Sequence, residues 1–320
     1  METTKYNIPE KFNPGFSIVV PTKNRLHALE NFMGSLEKQH PSDFLLIIVD
    51  QSETPINHFF YTNFLSIPIL YCYAPELDGL TAARNASLKH IQGEYTFMFD
   101  DDIILTDNCI IDVLNKMEKY PEIVAISTNI QARIPDSKIK ASMKNFTKKG
   151  AFSIKRKDLP KSQIELYTKD NLIATYKISG CTTCFRSVIF KEFSFSDELY
   201  SYCLGEDYDF SYRISKKYIV ARCISISVIH NHDTTGRFNY EKDYDSRICF
   251  YKWFYDKNVD KTVSNRFSYM LLILGVYIDA IIKSIRLFNL APLKGVRKGK
   301  KKIKTGFVGA YCIKHKKEPI

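Results

Sequence analysis

Short, uninterrupted apolar runs alternate along the chain with segments in which apolar residues recur at helical spacing. The runs Phe16–Thr22, Phe44–Asp50 and Tyr95–Phe99 have the length and continuity of strands buried on both faces of a sheet. The segments Leu26–Leu36 and Leu80–Ile91 show the spacing of amphipathic helices. Strands that alternate with helices through short connections predict an α/β protein with a mostly parallel, doubly wound sheet.

The pattern continues less regularly towards the C-terminus. Ile67–Tyr73, Ile123–Ile130 and Val220–Ile229 predict further strands, and Gly205–Lys216 predicts a helix. The segment Arg133–Lys161 is polar and rich in lysine, so we expect an excursion over the sheet rather than part of it.

Three consecutive carboxylates, Asp100, Asp101 and Asp102, follow directly after the Tyr95–Phe99 strand. Like charges so close together repel one another, and burying them costs free energy unless something compensates. Mg²⁺ or Mn²⁺ is typically held by one or two carboxylates together with substrate phosphate oxygens. Because ligands of open α/β sheets bind beyond the carboxyl ends of the strands, the triplet predicts a metal–diphosphate site. The alternative is a solvated acidic turn or an N-cap for the segment Thr106–Lys119.

Other polar residues stand where predicted strands or helices end or begin. Thr22, Asp50 and His230 each close a predicted strand, so we expect them to line one edge of the sheet together with the triplet. Arg84 lies in the second turn of a predicted helix, and both helix N-termini and arginine suit phosphate oxygens.

Two adjacent carboxylates, Glu206 and Asp207, open another predicted helix. One interpretation is a pair of groups for acid–base chemistry. The other is an acid-rich first turn that the helix dipole favours. The residues alone leave both interpretations open.

The net charge of +11 is concentrated at the C-terminus. Lys294–Ile320 carries ten Lys or Arg residues and one Glu, a local charge of +9 that leaves +2 for the rest of the chain. A nearly neutral body argues against a nucleic-acid-binding protein, and a basic arm favours contact with an anionic surface. The preceding apolar segment Phe267–Phe288 is interrupted by Gly275 and Asp279, so it falls short of the roughly 18–20 apolar residues that a transmembrane helix needs. It predicts either an interfacial helix followed by a polybasic anchor or a core helix followed by a solvated tail.

The eight cysteines are widely spaced, and the polar segment Met1–Pro14 lacks the features of a secretory signal. We therefore expect free thiols in a reducing cytoplasm. Cys181 and Cys184 form a C-x-x-C pair, but no second pair or histidine follows at zinc-site spacing, so no zinc site is expected.

In their order along the chain, these segments resemble the inverting nucleotide-sugar glycosyltransferases of family two, which have the GT-A fold. The resemblance spans about residues 15–235. The matching segments are FSIVVPTKNR, LLIIVDQS, GLTAARNASL, GEYTFMFDDDIIL, GCTTCFRSVIF and GEDYDFSYRI. One departure concerns the second strand, where Asp50-Gln51-Ser52 replaces the Asp-Asp-Gly-Ser that the family often has, which affects the choice of nucleotide base.

On the donor side, the resemblance implies that Thr22 and Asp50 hold the nucleotide base and that Arg84 lies in the region of the diphosphate. The triplet corresponds to the Asp-x-Asp motif of the family, with Asp100 and Asp101 on the donor side. Asp100 would face the ribose.

For the metal and the transfer step, Asp102 would bind Mn²⁺ or Mg²⁺. His230, with His232 as its competitor, would be the later metal or diphosphate contact. Asp207 would be the catalytic base and Glu206 its acceptor-binding neighbour. Gly180 would allow the backbone to approach the sugar.

The resemblance thus implies a GT-A catalytic domain over residues 1–240 and a helical, basic extension over residues 241–320. The implied reaction moves a sugar from a nucleoside-diphosphate sugar to a saccharide or a lipid-linked saccharide, in the assembly of surface polysaccharide or glycolipid. We expect a cytoplasmic protein that is peripheral at the inner face of the cell membrane. The alternatives are a nucleotidyltransferase and a non-catalytic module that binds nucleotide sugars.

Overall fold

The computed structural model describes the chain except residues 41, 57–63, 65, 132–145, 154–155, 157, 200–203, 232–238 and 306–320. The chain divides into two compact units. The first contains Met1–Ala132, Lys155–Ser196 and Phe210–Asp233, and the second contains Arg133–Ile154, Asp197–Asp209 and Thr234–Ile320.

The strands are β1 (Glu2–Tyr6), β2 (Phe16–Thr22), β3 (Phe44–Asp50), β4 (Ile69–Tyr73), β5 (Tyr95–Phe99), β6 (Ile103–Leu105), β7 (Ile123–Ile130), β8 (Leu172–Thr175), β9 (Thr182–Arg186) and β10 (Ile219–His230). The α-helices are α1 (Leu26–Glu37), α2 (Leu80–Ser87), α3 (Cys109–Lys119), α4 (Lys161–Lys169), α5 (Glu206–Ser215), α6 (Tyr240–Asn258), α7 (Val263–Leu287) and α8 (Ala291–Lys304). The α/β class and the helical C-terminal region are therefore confirmed.

All the strands belong to one sheet with the order β1-β4-β3-β2-β5-β9-β7-β10-β6, and β8 pairs with β10. The four strands from β4 to β5 are parallel, as the alternating pattern predicts. Beyond them the sheet is mixed, because β9 runs antiparallel between β5 and β7.

Both faces of the parallel strands are covered. In β2, Ile18 and Val20 belong to the core cluster that contains Leu29 and Phe32 of α1. Val19, between them, belongs to a second cluster with Ala83 of α2. This alternation explains why β2 is apolar at successive positions, as expected for a strand covered on both faces.

Four strands, β1, β6, β8 and β9, were not predicted. The polar β1 pairs antiparallel with β4 at the edge of the sheet. The short β8 pairs antiparallel with β10. One helix is shorter than predicted, since α2 ends at Ser87 and continues as a 3₁₀ turn, Leu88–His90. Most of the predicted excursion over residues 133–161 lies outside the described residues.

Topology explains why the predicted site residues meet. β2 and β3 are paired in register so that Thr22 lies opposite Asp50. After β5 the chain turns through the carboxylate triplet into β6, which pairs antiparallel with β10 and places Ile103 opposite His230. The backbone N–H of Asn231 donates to the carbonyl oxygen of Asp102 at 2.9 Å. The end of β10 is thereby fixed beside the triplet.

In the second unit, α8 packs closely against α6. A Cβ atom on Gly295 would stand 2.2 Å from the carbonyl oxygen of Glu241, and one on Gly299 would stand 3.0 Å from that of Asp245. Glycine is required at both positions because any side chain would separate the two helices. The lysine-rich segment predicted as a tail is therefore helical as far as Lys304. Among the helices of the described part of the chain, none combines the length and the apolar character needed to cross a membrane.

Candidate active site

Three potential metal ligands converge at the end of the sheet. One ligand atom from each of Asp100, Asp102 and His230 lies within 4.8 Å of the others. His230 Nε2 is 2.9 Å from Asp102 Oδ1. Two carboxylates and an imidazole are groups that hold Mn²⁺, and carboxylates also suit Mg²⁺. The residues present therefore fit a divalent cation, and the predicted competitor His232 lies outside the described residues.

Arg84 supports one side of this cluster. Its side chain is 1% exposed, and Nη2 donates to Asp100 Oδ1 at 3.0 Å and to the carbonyl oxygen of Gly180 at 2.9 Å. Its guanidinium also lies over the ring of Phe195, 5.3 Å from the centroid. A buried arginine on these partners orients Asp100 and brings Gly180 to the site.

Asp101 is held on the opposite side, by the β2–α1 connection. Its carboxylate accepts from Thr22 Oγ1 at 2.8 Å and from Arg25 Nη1 at 2.8 Å. Arg25 Nη2 also approaches Asp102 Oδ2 at 3.5 Å. Arg25 was missed in the sequence, although it stands within the quoted FSIVVPTKNR segment, three residues after the end of β2. The two arginines thus contact different carboxylates of the triplet. Arg84 contacts Asp100, and Arg25 contacts Asp101 and Asp102.

The two arginines do not fully offset the burial of the carboxylates. Burial raises the pKa of Asp101 to about 7, against the lowering effects of Arg25 and Thr22. Burial also raises the pKa of Asp100, with the neighbouring Asp102 acting in the same direction and Arg84 against it. An additional positive charge would favour the ionised carboxylates, so the cluster is suited electrostatically to a cation.

Asp50 is fully buried one strand away from Thr22. Its carboxylate accepts from the hydroxyl of Tyr71 and from the backbone N–H groups of Ser52 at 2.8 Å and Ile56 at 3.3 Å. Burial, and then this hydrogen bond, raise the pKa of Tyr71. Asp50 thus fixes the chain that follows β3, and its contact with a nucleotide base stays a prediction.

Glu206 and Asp207 begin α5 in the second unit, where α6 fixes the start of the helix. Gly205 has φ +94°, and a Cβ there would stand 2.4 Å from the ring of Phe250. The buried Asp209 accepts from Asn258 Nδ2 at 2.8 Å. The turn that presents the two carboxylates is therefore held by α6, an element that the sequence pattern did not connect with them.

Family membership follows from comparison with known proteins. The family model described as glycosyl transferase family 2 matches residues 17–193, more than half of the chain. The protein belongs to glycosyltransferase family 2. It is 28% identical over 228 residues to YwdF of Bacillus subtilis, an uncharacterized glycosyltransferase, covering 69% of this chain and 75% of the relative. The predicted family and the predicted enzyme class are confirmed.

Solved structures show the fold. The mannosyltransferase PcManGT from Pyrobaculum calidifontis, in complex with GDP-Man and Mn²⁺, has a TM-score of 0.58 at 12% identity, with 91% of this chain and 87% of that chain covered. TarS 1–349 of S. aureus, in complex with UDP-GlcNAc, has a TM-score of 0.52 at 14% identity, with 91% of each chain covered. These similarities confirm the GT-A fold.

Proposed function

We propose that the protein is a metal-dependent, inverting glycosyltransferase that moves a sugar from a nucleoside-diphosphate sugar to a hydroxyl acceptor. The observation that carries the proposal is the convergence of Asp100, Asp102 and His230 at the end of the sheet, with ligand atoms within 4.8 Å of one another. Family membership supports the glycosyl transfer, and the raised pKa values of Asp100 and Asp101 support a cation, because added positive charge would favour their ionised forms.

In this proposal Asp102 and His230 hold Mn²⁺ or Mg²⁺, and Asp100 stands beside them towards the ribose. When bound, the cation neutralises the charge that develops on the leaving nucleoside diphosphate. Arg84 acts by holding Asp100, which its 3.0 Å hydrogen bond supports. Arg25 holds Asp101 in the same way, through a 2.8 Å ion pair.

Nucleotide sugars are proposed as donors because structural relatives were solved with GDP-Man and UDP-GlcNAc. Thr22 and Asp50 are proposed to face the base, which their pairing in register at the ends of adjacent strands supports. Gly180 is proposed to border the sugar, since its carbonyl oxygen is held by Arg84.

Asp207 is proposed as the base that takes the proton from the acceptor hydroxyl, with Glu206 binding the acceptor. A single displacement on the face opposite the leaving group inverts the anomeric configuration, through a transition state with oxocarbenium-like character. The close packing of Gly205 against Phe250 supports this role, because a base must be held in a fixed position to abstract a proton in the transition state.

The acceptor is proposed to be a saccharide, free or lipid-linked, used in surface-polysaccharide or glycolipid assembly at the cytoplasmic face of an anionic membrane. The basic, exposed residues of α8 support that location. Family membership favours sugar transfer over nucleotidyl transfer or donor binding without turnover, and no contact in the described structure favours either of those alternatives.

The test is to incubate the protein with a panel of nucleotide sugars and to measure nucleoside diphosphate release with Mn²⁺, with Mg²⁺ and in excess EDTA. We expect turnover with at least one donor, and loss of turnover in EDTA. Undiminished turnover in EDTA would contradict the metal-dependent mechanism. Retention of the donor's anomeric configuration in the product, measured by NMR, would contradict the single displacement.

The base assignment has its own test in a matched pair of variants. Asp207→Asn should lower the turnover rate by about 10²–10⁴-fold, because it removes the proton acceptor, while donor affinity stays the same. Glu206→Gln should mainly raise the KM for the acceptor. An inactive Glu206→Gln beside an active Asp207→Asn would show that the base is Glu206.

A further inference from the structure

Helix α7 carries a stripe of exposed apolar side chains along its full length. They recur every three or four residues, or after seven where the half-buried Ile278 intervenes, so they lie on one face of the helix. Several are more than half exposed, including Phe267 at 60%, Met270 at 67% and Ile285 at 67%. The stripe consists of Val263, Phe267, Met270, Leu274, Ile281 and Ile285.

From Val263 to Ile285 the stripe spans 23 residues. At a rise of 1.5 Å per residue its ends lie about 33 Å apart along the helix axis. At its end the chain leaves the helix through Phe288, which has φ 48° and is 98% exposed. Leu290, two residues later, is 62% exposed. The apolar surface thus continues into the connection to α8.

The opposite face of α7 is the one that packs inside the second unit. Val276 and Ala280 are buried in a cluster with Tyr244 and Ile248 of α6. Asp279 is the only acidic residue between positions 261 and 304, and its carboxylate accepts from the Tyr244 hydroxyl at 2.6 Å. The stripe therefore faces away from this core and contains no acidic residue.

A basic face on α8 adjoins the stripe. Gly295, Val296 and Gly299 are buried, and the basic residues recur on the other side of the helix. The exposed basic residues are Lys294, Arg297, Lys298, Lys300, Lys301 and Lys304. We call this set the basic face.

The two surfaces meet at one contact. The Lys300 ammonium lies over the ring of Tyr277, 4.4 Å from its centroid. Tyr277 follows Met270 by seven residues, so it lies at the edge of the same face of α7. The apolar stripe and the basic face are therefore neighbouring parts of one surface rather than features on separate sides of the unit.

We infer that this surface docks on an anionic lipid bilayer, with α7 lying in the plane of the interface. An amphipathic helix in that position buries its apolar face at the boundary between head groups and acyl chains, and basic residues beside it meet anionic head groups. A second copy of the chain is a less suitable partner for this surface than a bilayer. Residues 261–304 carry eleven Lys or Arg residues and one acid, so a symmetric pair would bring like charges together.

The inference rests on the membrane-surface partner included in the proposed function and deepens it by naming the residues that touch lipid. It does not depend on the chemistry of transfer. Turnover with a soluble acceptor and lipid binding are measured separately, so a failure of one is distinguishable from a failure of the other.

The experiment is co-sedimentation of the full-length protein with phosphatidylcholine vesicles, with or without phosphatidylglycerol, at low and high salt. We expect binding to the anionic vesicles that weakens as salt rises. The double variant Phe267→Ser/Ile285→Ser should weaken binding about tenfold or more, because two exposed apolar side chains no longer enter the interface. The double variant Arg297→Gln/Lys301→Gln should weaken it about fivefold per charge removed.

Matched controls lie on the first unit. Ile111→Ser/Val188→Ser removes two exposed apolar residues and Lys161→Gln removes an exposed charge, and neither should change vesicle binding. All variants should keep the wild-type melting temperature and turnover on a soluble acceptor. Absence of vesicle binding, or binding that is the same for neutral and anionic vesicles, would overturn the inference. So would a dimer in sedimentation equilibrium that the stripe variant abolishes.

Discussion

The acidic cluster at the end of β5 and the basic face of α8 both gather like charges within a few residues, but the protein compensates them differently. Asp101 is 2% exposed and Asp102 is 6% exposed, and each is contacted by Arg25 from a neighbouring element. The lysines of the basic face are exposed, and their helix is held by glycines on its other side.

The difference teaches what each cluster is suited to bind. Buried like charges interact strongly because little water screens them, so the fold must supply fixed counter-charges or a ligand must do so. Exposed lysines are screened by water and salt, so they need no fixed partner and act together as an extended patch. The first arrangement suits a single cation with a diphosphate, and the second suits a charged surface.

The largest effect should come from removing one carboxylate of the acidic cluster. Asp102→Asn should lower metal-dependent turnover by at least about 100-fold, because a neutral amide is a weaker ligand for a hard cation than a carboxylate. Metal binding should be measured by calorimetry beside turnover. The folded state should persist, because the variant removes one of three neighbouring negative charges.

The control for Asp102→Asn is Asp112→Asn, which changes an exposed carboxylate on α3. We expect wild-type turnover and Mn²⁺ affinity from the control. Full activity of Asp102→Asn would contradict the metal-binding role of Asp102 and would favour an ordinary acidic turn.

Much of the acidic cluster and of the strand ends beside it could be predicted from the sequence. Apolar runs that end in polar residues identified β2, β3 and β5, and the ends of parallel strands lie at one edge of a sheet. That rule alone placed Thr22 and Asp50 together and put the triplet at the same edge. His230 also belongs there, because β6 turns back from the triplet and pairs with β10.

The remainder depends on tertiary contacts that leave no periodic signal. β1 is a polar segment that becomes a strand only because β4 offers an open edge. Arg25 is one basic residue among many until its distance to Asp101 is known. Gly295 and Gly299 look like interruptions in a lysine-rich tail, yet they permit the close approach of α8 to α6.

A smaller effect should appear in the pH dependence of metal binding. Burial raises the pKa of Asp101 to about 7, so the metal-free cluster takes up a proton as the pH falls from 8 to 6. A bound cation favours the ionised form, and the apparent affinity for Mn²⁺ should therefore fall by up to about tenfold per pH unit below 7. Calorimetric titration with Mn²⁺ at pH 8 and pH 6 measures this, and equal affinities would contradict it.

The raised pKa of Asp101 should have the opposite effect on the stability of the metal-free protein. Mn²⁺ affinity should rise with pH, whereas the free energy of unfolding should fall. Between about pH 4 and pH 7 the folded protein retains a proton that the unfolded chain has already released, so the free energy of unfolding should fall as the pH rises. Asp101→Asn should flatten this dependence in urea denaturation. The same pH dependence in Asp101→Asn as in the wild type would show that the carboxylate is charged throughout.

The smallest effect sharpens the comparison within α8 itself, where two adjacent lysines should behave differently. Lys302 forms an ion pair with Asp245, which is 3% exposed, whereas Lys301 is exposed on the basic face. Lys302→Met should lower the free energy of unfolding by about 1–3 kcal/mol, because it removes the cation beside a buried carboxylate, while Lys301→Met should change it by less than about 0.5 kcal/mol. For vesicle binding we expect the larger effect from Lys301→Met, which should bind more weakly than Lys302→Met. Urea denaturation measures the stability of the two variants, and co-sedimentation measures their vesicle binding. Equal effects of the two substitutions on stability would mean that the ion pair does not distinguish Lys302 from the lysines around it.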